Sequence, residues 1–141
     1  MDFNLSDNSK KYLLAEARRV ISGELGTAYS NPYGVSEPDD VKCCCPCFVT
    51  IKNGGSLRGC VGVMAGSFFL ADNVRSMARA AAFEDRRFMP LSFSELERVR
   101  IEITVLTPMR EVRPSEIEVG RDGLYIIYNG MRGVLLPQLS L

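Results

Sequence analysis

The chain has 141 residues, 46% hydrophobic and 24% charged, a composition that supports one domain around a single sizeable core. Its 17 basic and 17 acidic residues cancel, so no global field steers nucleic acid or an anionic membrane towards it. It contains no histidine, which excludes Ser–His and Cys–His catalytic arrangements and every His-ligated metal site.

No apolar run approaches the roughly 20 residues of a membrane span. Met1-Asp2-Phe3-Asn4 has neither the basic nor the apolar region of an export signal, and the expected location is cytoplasmic. Five cysteines then read as reduced thiols, and the odd number counts against a disulfide framework.

Ser6 to Leu25 predicts an amphipathic helix. Leu13, Ala17, Val20 and Ile21 recur at helical spacing with Leu14 beside them, while Lys10, Lys11, Arg18 and Arg19 lie off that stripe. Ser6 or Ser9 is placed to cap its start and Gly23 or Gly26 its end. From Thr27 to Lys42 the periodicity vanishes, and Pro32, Gly34, Pro38 and Asp39-Asp40 mark a long surface loop.

Cys47 to Lys52 reads as a strand, and Asn53-Gly54 as a two-residue hairpin turn. The return strand holds Leu57 to Val63. Strand parity puts Leu57, Val61 and Val63 on one face and Arg58, Cys60 and Gly62 on the other. A turn at Asn53-Gly54 would set Cys47 directly across from Cys60.

Leu70 to Phe83 predicts a second helix with Leu70, Val74, Met77, Ala78 and Ala81 buried. Ser92 and Glu95 then have capping-box spacing, with Leu91 and Leu96 spaced as a hydrophobic staple. Val99 to Leu106 alternates as a half-buried strand. Ile117 to Val119, Leu124 to Tyr128 and Met131 to Leu136 are expected strands, the last two joined by Asn129-Gly130. Hairpins scattered among helices predict an α+β fold that is mainly antiparallel sheet, with two main helices packed on it.

The densest chemistry is Leu57-Arg58-Gly59-Cys60-Val61-Gly62-Val63. A cation on the same strand face favours the thiolate, the nucleophilic form of Cys60. Gly59 and Gly62 leave room for a substrate to approach the backbone. Against this stands Cys60 as a small core hydrophobe, as free cysteines often are. The second cluster, Cys43-Cys44-Cys45-Pro46-Cys47, contains a C-x-x-C spacing at Cys44 and Cys47, but it runs into a strand rather than a helix N-terminus. A zinc site lacks well-spread ligands, and a local structural feature is the simplest account. No metal or cofactor is expected.

Leu57-Arg58-Gly59-Cys60-Val61-Gly62 resembles the hallmark Leu-Arg-Gly-Cys-Ile-Gly motif of the AMMECR1 domain family. Five further blocks fit in order: Phe48-Val49-Thr50-Ile51; Ala81-Ala82-Phe83-Glu84-Asp85 with Arg87-Phe88 and Pro90-Leu91; Ile103 to Pro108; Gly120 to Leu124; and Leu135-Leu136-Pro137-Gln138. The resemblance implies a single AMMECR1-like domain over 1–141, in two unequal subdomains, with the hallmark motif near a cleft. It makes Cys60 the candidate catalytic residue and Arg58, Gly59, Gly62, Asp85, Arg87 and Gln138 the candidate binding residues. The family's activity is unsettled, and association of relatives with Memo-like and radical SAM proteins suggests such a partner. Two departures stand out: relatives generally lack the Cys43–Cys47 cluster, and they usually continue for some tens of residues past the Leu-Pro-Gln block. The apolar run from Val134 to Leu141 then calls for cover, by a partner or by a second copy in a homo-oligomer. Two functions remain open at this point. One is an enzyme or enzyme component acting on a small molecule at Cys60 and Arg58; the other is a non-catalytic binding or regulatory module.

Overall fold

A computed structural model describes residues 4–34, 36–64 and 68–137. The chain divides into two compact units, Met1–Pro108 and Met109–Leu141.

Helix α1 (Asp7–Glu24) starts and stops where its terminal residues dictate. Ser6 is the N-cap, its hydroxyl accepting from the Ser9 N–H at 3.2 Å. At the other end Gly26 takes φ +76°, the left-handed geometry a Schellman stop requires. The Thr27 N–H returns to the Ser22 carbonyl at 3.0 Å and the Gly26 N–H to Gly23 at 3.1 Å. Leu13, Ala17, Val20 and Ile21 are buried as the spacing predicts, whereas Leu14 is 39% exposed. The far end of the long loop turns inward. Val41 is fully buried, and the Asp40 carboxylate accepts from the Ser9 hydroxyl and, at 3.3 Å, from the Ser6 N–H. That contact explains why a serine is buried in α1.

Strands β1 (Cys47–Asn53), β2 (Ser56–Val63) and β3 (Val99–Val105) form an antiparallel sheet in the order β2-β1-β3. The turn between β1 and β2 differs from the expected one. Asn53 stays in the strand opposite Ser56, and Gly54-Gly55 makes the turn with φ +58° and +84°. Two successive glycines supply both positive-φ positions without steric cost. A bulge follows: Lys52 pairs with Leu57 but Ile51 pairs with Gly59, leaving Arg58 as the extra residue. Together these shifts put Cys47 opposite Val63 and Cys60 opposite Thr50, so the expected Cys47–Cys60 cross-strand pair does not form. The bulge also breaks the predicted parity, and Leu57 is exposed while Val61 and Val63 pack on the core.

Helix α2 (Leu70–Phe83) lies where predicted. Leu70, Val74, Ala78 and Ala81 form one core with α1 and with Cys47, Val49 and Ile51 of β1, and Met77 packs at its margin. Its buried Asn73 donates to the carbonyls of Cys45 at 3.4 Å and Phe68 at 3.2 Å, which satisfies a polar group that would be costly left alone. Arg75 ties the two helices together, reaching Glu16 at 2.8 Å and the Tyr12 hydroxyl at 2.8 Å. Arg18 hooks α1 to the start of β3 through the carbonyls of Leu96 and Val99, at 3.0 and 2.8 Å. The Ser92–Glu95 signal produces a single 3-10 turn, Phe93–Glu95.

In the second unit, β4 (Leu124–Tyr128) and β5 (Met131–Leu135) form a hairpin. Its turn is Asn129 (φ +49°) and Gly130 (φ +77°), as predicted. The expected strand at Ile117 to Val119 is absent. Its backbone is committed locally, the Glu118 N–H to Asp122 Oδ2 at 2.9 Å and the Glu118 carbonyl to the Arg121 and Asp122 N–H groups, so no ladder can form there. Ile126, Ile127, Tyr128 and Met131 are exposed. Of the apolar run from Val134, residues 138–141 lie outside the described residues.

Candidate functional site

β2 is an edge strand, so its outward N–H and C=O groups need partners. At Cys60 both are supplied by one ion pair from the loop after α2. The Cys60 N–H donates to Asp85 Oδ2 at 3.0 Å, and the Arg87 guanidinium donates to the Cys60 carbonyl at 3.3 Å. Asp85 and Arg87 are joined by two parallel bonds of 3.0 and 2.8 Å, the bidentate geometry that makes such pairs specific. Arg87 holds the Asp85 carboxyl well below the usual carboxylate range, assisted by the Cys60 N–H. A carboxylate held so low is a poor general base, and its geometry is that of a positioning group. Arg87 remains exposed on its outer side and lies over the Phe88 ring at 5.4 Å.

Arg58 does not sit free beside the thiol. Released from the ladder by the bulge, its guanidinium grips Glu95 at 2.7 and 3.1 Å and the Pro90 carbonyl at 3.3 Å. Arg58 lowers the Glu95 carboxyl to about 2, helped by the Ser92 N–H and hydroxyl. The polar neighbour of the Cys60 thiol is instead the Thr50 hydroxyl, 3.3 Å away across the strand pair. Cys60 itself is half-buried.

The two glycines have packing neighbours of their own. A Cβ on Gly59 would lie 2.1 Å from the Ala81 carbonyl oxygen, and one on Gly62 2.1 Å from the Phe48 ring. Gly59 thus lets α2 approach β2 backbone to backbone, and Gly62 gives the Phe48 ring its seat. Next to this edge, Phe83, Glu84, Asp85, Arg86 and Phe88 line an open hollow of about 470 Å³. Asp85 belongs both to this hollow and to the clamp on Cys60.

The structure therefore brings together Cys60, Asp85 and Arg87 directly, and places Arg58 one residue from Gly59 but facing Glu95. Gln138 lies outside the described residues. Thr50 and Glu95 are the participants that sequence reasoning missed as site residues. Glu95 announced itself only as a capping residue, and Thr50 becomes visible once the register is known. In the other thiol cluster, Cys44 is exposed and Cys47 fully buried, so the two thiols of the C-x-x-C spacing sit in unlike surroundings. Among the described residues no group of three or more His, Cys, Asp or Glu is arranged to hold a metal ion, and no helix is long and apolar enough to cross a membrane.

The AMMECR1 family model matches residues 14–141, which contain the whole of the motif and its clamp. The chain belongs to the AMMECR1 family. Its similarity to relatives runs through Protein Ta0236 of Thermoplasma acidophilum, 38% identical over 101 residues that cover 66% of this chain and 49% of that protein. Proteins of Aeropyrum pernix and Sulfolobus acidocaldarius are 43% and 45% identical over 66% of the chain, covering 45% and 46% of their own lengths. This AMMECR1 chain thus spans about half the length of the curated relatives it matches. Its fold is that of the uncharacterised protein PH0010 from Pyrococcus horikoshii, with a TM-score of 0.81 and 31% identity. That match covers 97% of this chain and 73% of PH0010.

Proposed function

We propose that this AMMECR1 domain binds a small molecule at the β2 edge, with Cys60 as the group that contacts it and with Asp85 and Arg87 fixing the strand that carries the thiol. Arg58, Gly59 and Gly62 shape the wall of the site by holding the Phe93–Glu95 turn, α2 and Phe48 in place. The observation that carries this reading is the convergence at Cys60. Both backbone polar groups are clamped by one ion pair whose carboxylate is buried and whose guanidinium is open to solvent, Cys60 is half-buried, and the same Asp85 lines a hollow of about 470 Å³. Rigid support of one reactive side chain is what a binding or catalytic constellation needs. With no histidine in the chain, a reaction there would use the thiol itself, and proton transfer would pass to water or to the ligand.

Differential alkylation tests it. In the folded protein iodoacetamide should modify Cys60 well ahead of the buried Cys45 and Cys47, whose thiols burial pushes up to about 12. Asp85→Asn, which weakens the clamp, should change the Cys60 rate selectively while leaving that of the exposed Cys44 unaltered. A Cys60 that stays unmodified until the protein is denatured sinks the proposal.

A second reading, a docking module for a Memo-like or radical SAM partner, draws on a different observation. Leu57, Met89 and Phe93 are exposed apolar side chains, and each is a near neighbour in sequence of Arg58 or of the Pro90 and Glu95 groups that Arg58 grips. A docking role predicts that Phe93→Ser abolishes co-purification with such a partner while Cys60→Ala preserves it. The opposite pattern returns the site to the small-ligand reading.

A further inference from the structure

Of the thiols that the C-x-x-C spacing suggested as a pair, Cys44 is exposed and Cys47 fully buried; two others are held together. Cys43 Sγ and Cys45 Sγ lie 2.8 Å from each other, only about 0.8 Å beyond a disulfide bond length of about 2.0 Å. Cys43 has φ −76° and ψ 151°, and the irregular segment between it and β1 brings the Cys45 side chain back onto it. Their approach is anchored. The Cys43 carbonyl accepts from the Leu70 N–H at 2.7 Å and the Pro46 carbonyl from the Leu106 N–H at 2.9 Å. Between them the Cys45 carbonyl takes the Asn73 amide at 3.4 Å. Three bonds from α2 and from the end of β3 thus fix the backbone on which the two sulfurs meet.

We propose that Cys43 and Cys45 form a reversible thiol–disulfide couple, oxidised by small-molecule disulfides of the glutathione type. Solvent reaches one member and not the other: Cys43 is half-buried and Cys45 is 1% exposed. Burial, and then the hydrogen bond to Cys43, push the Cys45 thiol up to about 12, so Cys43 is the entering nucleophile. The Cys43 thiolate attacks one sulfur of the small disulfide; the protein–ligand S–S bond forms, the ligand S–S bond breaks, and one ligand thiolate leaves. Cys45 Sγ then gives its proton to water and attacks the Cys43 sulfur, expelling the second ligand thiolate. Two protein thiols lose two protons and two electrons, and one small disulfide gains them as two thiols. The pre-set contact offsets the poor ionisation of Cys45 by proximity. A ring closed over only one intervening residue is tight, and tight disulfides are the readily reduced, reversible kind.

The whole chain is equilibrated with graded ratios of oxidised and reduced glutathione, acid-quenched, and alkylated with a maleimide in denaturant. It is then reduced, alkylated with a second maleimide of different mass, and fragmented. The expected product is two hydrogens lighter, with three of the five thiols carrying the first label and Cys43 and Cys45 the second. Cys43→Ser should abolish the internal bond, while Cys44→Ser, at an exposed position, should leave it intact. The proposal is overturned by a bond between Cys44 and Cys47, by a glutathione adduct that persists on Cys43 without resolving, or by five thiols carrying the first label at every ratio.

Discussion

Replacing Gly59 by alanine asks how closely α2 and β2 are forced together. The added Cβ would meet the Ala81 carbonyl oxygen at 2.1 Å and its carbonyl carbon at 3.0 Å. Ordinary contact begins near 3.4 Å, so strand and helix must part by about 1.3 Å at this point. Both partners are backbone, and no rotamer change relieves the overlap. Parting by that distance opens the packing between α2 and Val61, and a gap of 0.5–1 Å already forfeits about a quarter to a half of a van der Waals contact. Overpacking of this kind costs about 1–3 kcal/mol and occasionally more, and an overlap with main chain belongs at the upper end, about 3 kcal/mol.

Gly62→Ala is the matched control. Its Cβ would also fall 2.1 Å from a neighbour, but that neighbour is the ring of Phe48, a half-buried side chain rather than main chain, and a χ1 change can relieve the overlap without parting two backbones. About 1 kcal/mol is expected. Urea unfolding followed by the helical circular dichroism signal separates the two, because α1 and α2 both belong to the first unit. Gly59→Ala should move the midpoint several times further than Gly62→Ala with little change in slope. Equal shifts, or a larger one for Gly62→Ala, would refute the claim that backbone approach of α2 is what the first glycine serves.

Two further expectations concern the Arg58–Glu95 pair, whose side chains are 16% and 20% exposed. Glu95→Gln leaves a largely buried guanidinium without its counter-charge and should destabilise by about 2 kcal/mol in the same assay; an unchanged midpoint would mean the pair contributes nothing. Acidification should act through the same group. The Glu95 carboxyl titrates at about 2 in the folded chain against an ordinary value of 4.5, and Glu16, held by Arg19 and Arg75, does likewise. A depressed folded value contributes stability that is complete above about pH 4.5 and is lost as pH falls towards 2. Stability measured across that window should therefore decline, and Glu95→Gln should make the decline shallower.

Much of the first unit is legible in local sequence because local chemistry decides it. Ser6 supplies a cap, Gly26 a left-handed stop, and the apolar spacing of Leu70 to Ala81 a helix whose observed ends are the predicted ones. Asn129-Gly130 is a turn that nothing competes with, and it forms as expected. Where two local solutions compete, sequence alone does not choose. Asn53-Gly54 and Gly54-Gly55 are both good turn pairs, and selecting the second moves every cross-strand neighbour. The site suffers most from this. Thr50 beside Cys60 and Glu95 beneath Arg58 are contacts made by register and by tertiary packing, and neither leaves a trace in the spacing of residues. The Cys43–Cys45 contact is hidden for the same reason, since its geometry is set by Leu70, Asn73 and Leu106 rather than by the cysteines.

The bulge at Arg58 is what reconciles the hallmark motif with the core. With the turn at Gly54-Gly55 and no bulge, Arg58 would face Ile51, Cys60 would face Val49 and Gly62 would follow them on the side that packs against α2. That register would press a guanidinium into the core and turn Val61 and Val63 outward, because a one-residue slip exchanges the two faces of a strand. One extra residue corrects the alternation. It puts Gly59, Val61 and Val63 on the face of Ile51, Val49 and Cys47, where only a glycine fits under Ala81. It leaves Cys60 on the outer face opposite Thr50, and it frees Arg58 from the ladder to hold Glu95 and Pro90. The arginine, the glycine and the cysteine of the motif thus answer to a single event in the strand: the residue that cannot be buried is expelled, the one without a side chain takes its place, and the thiol is kept on the open side.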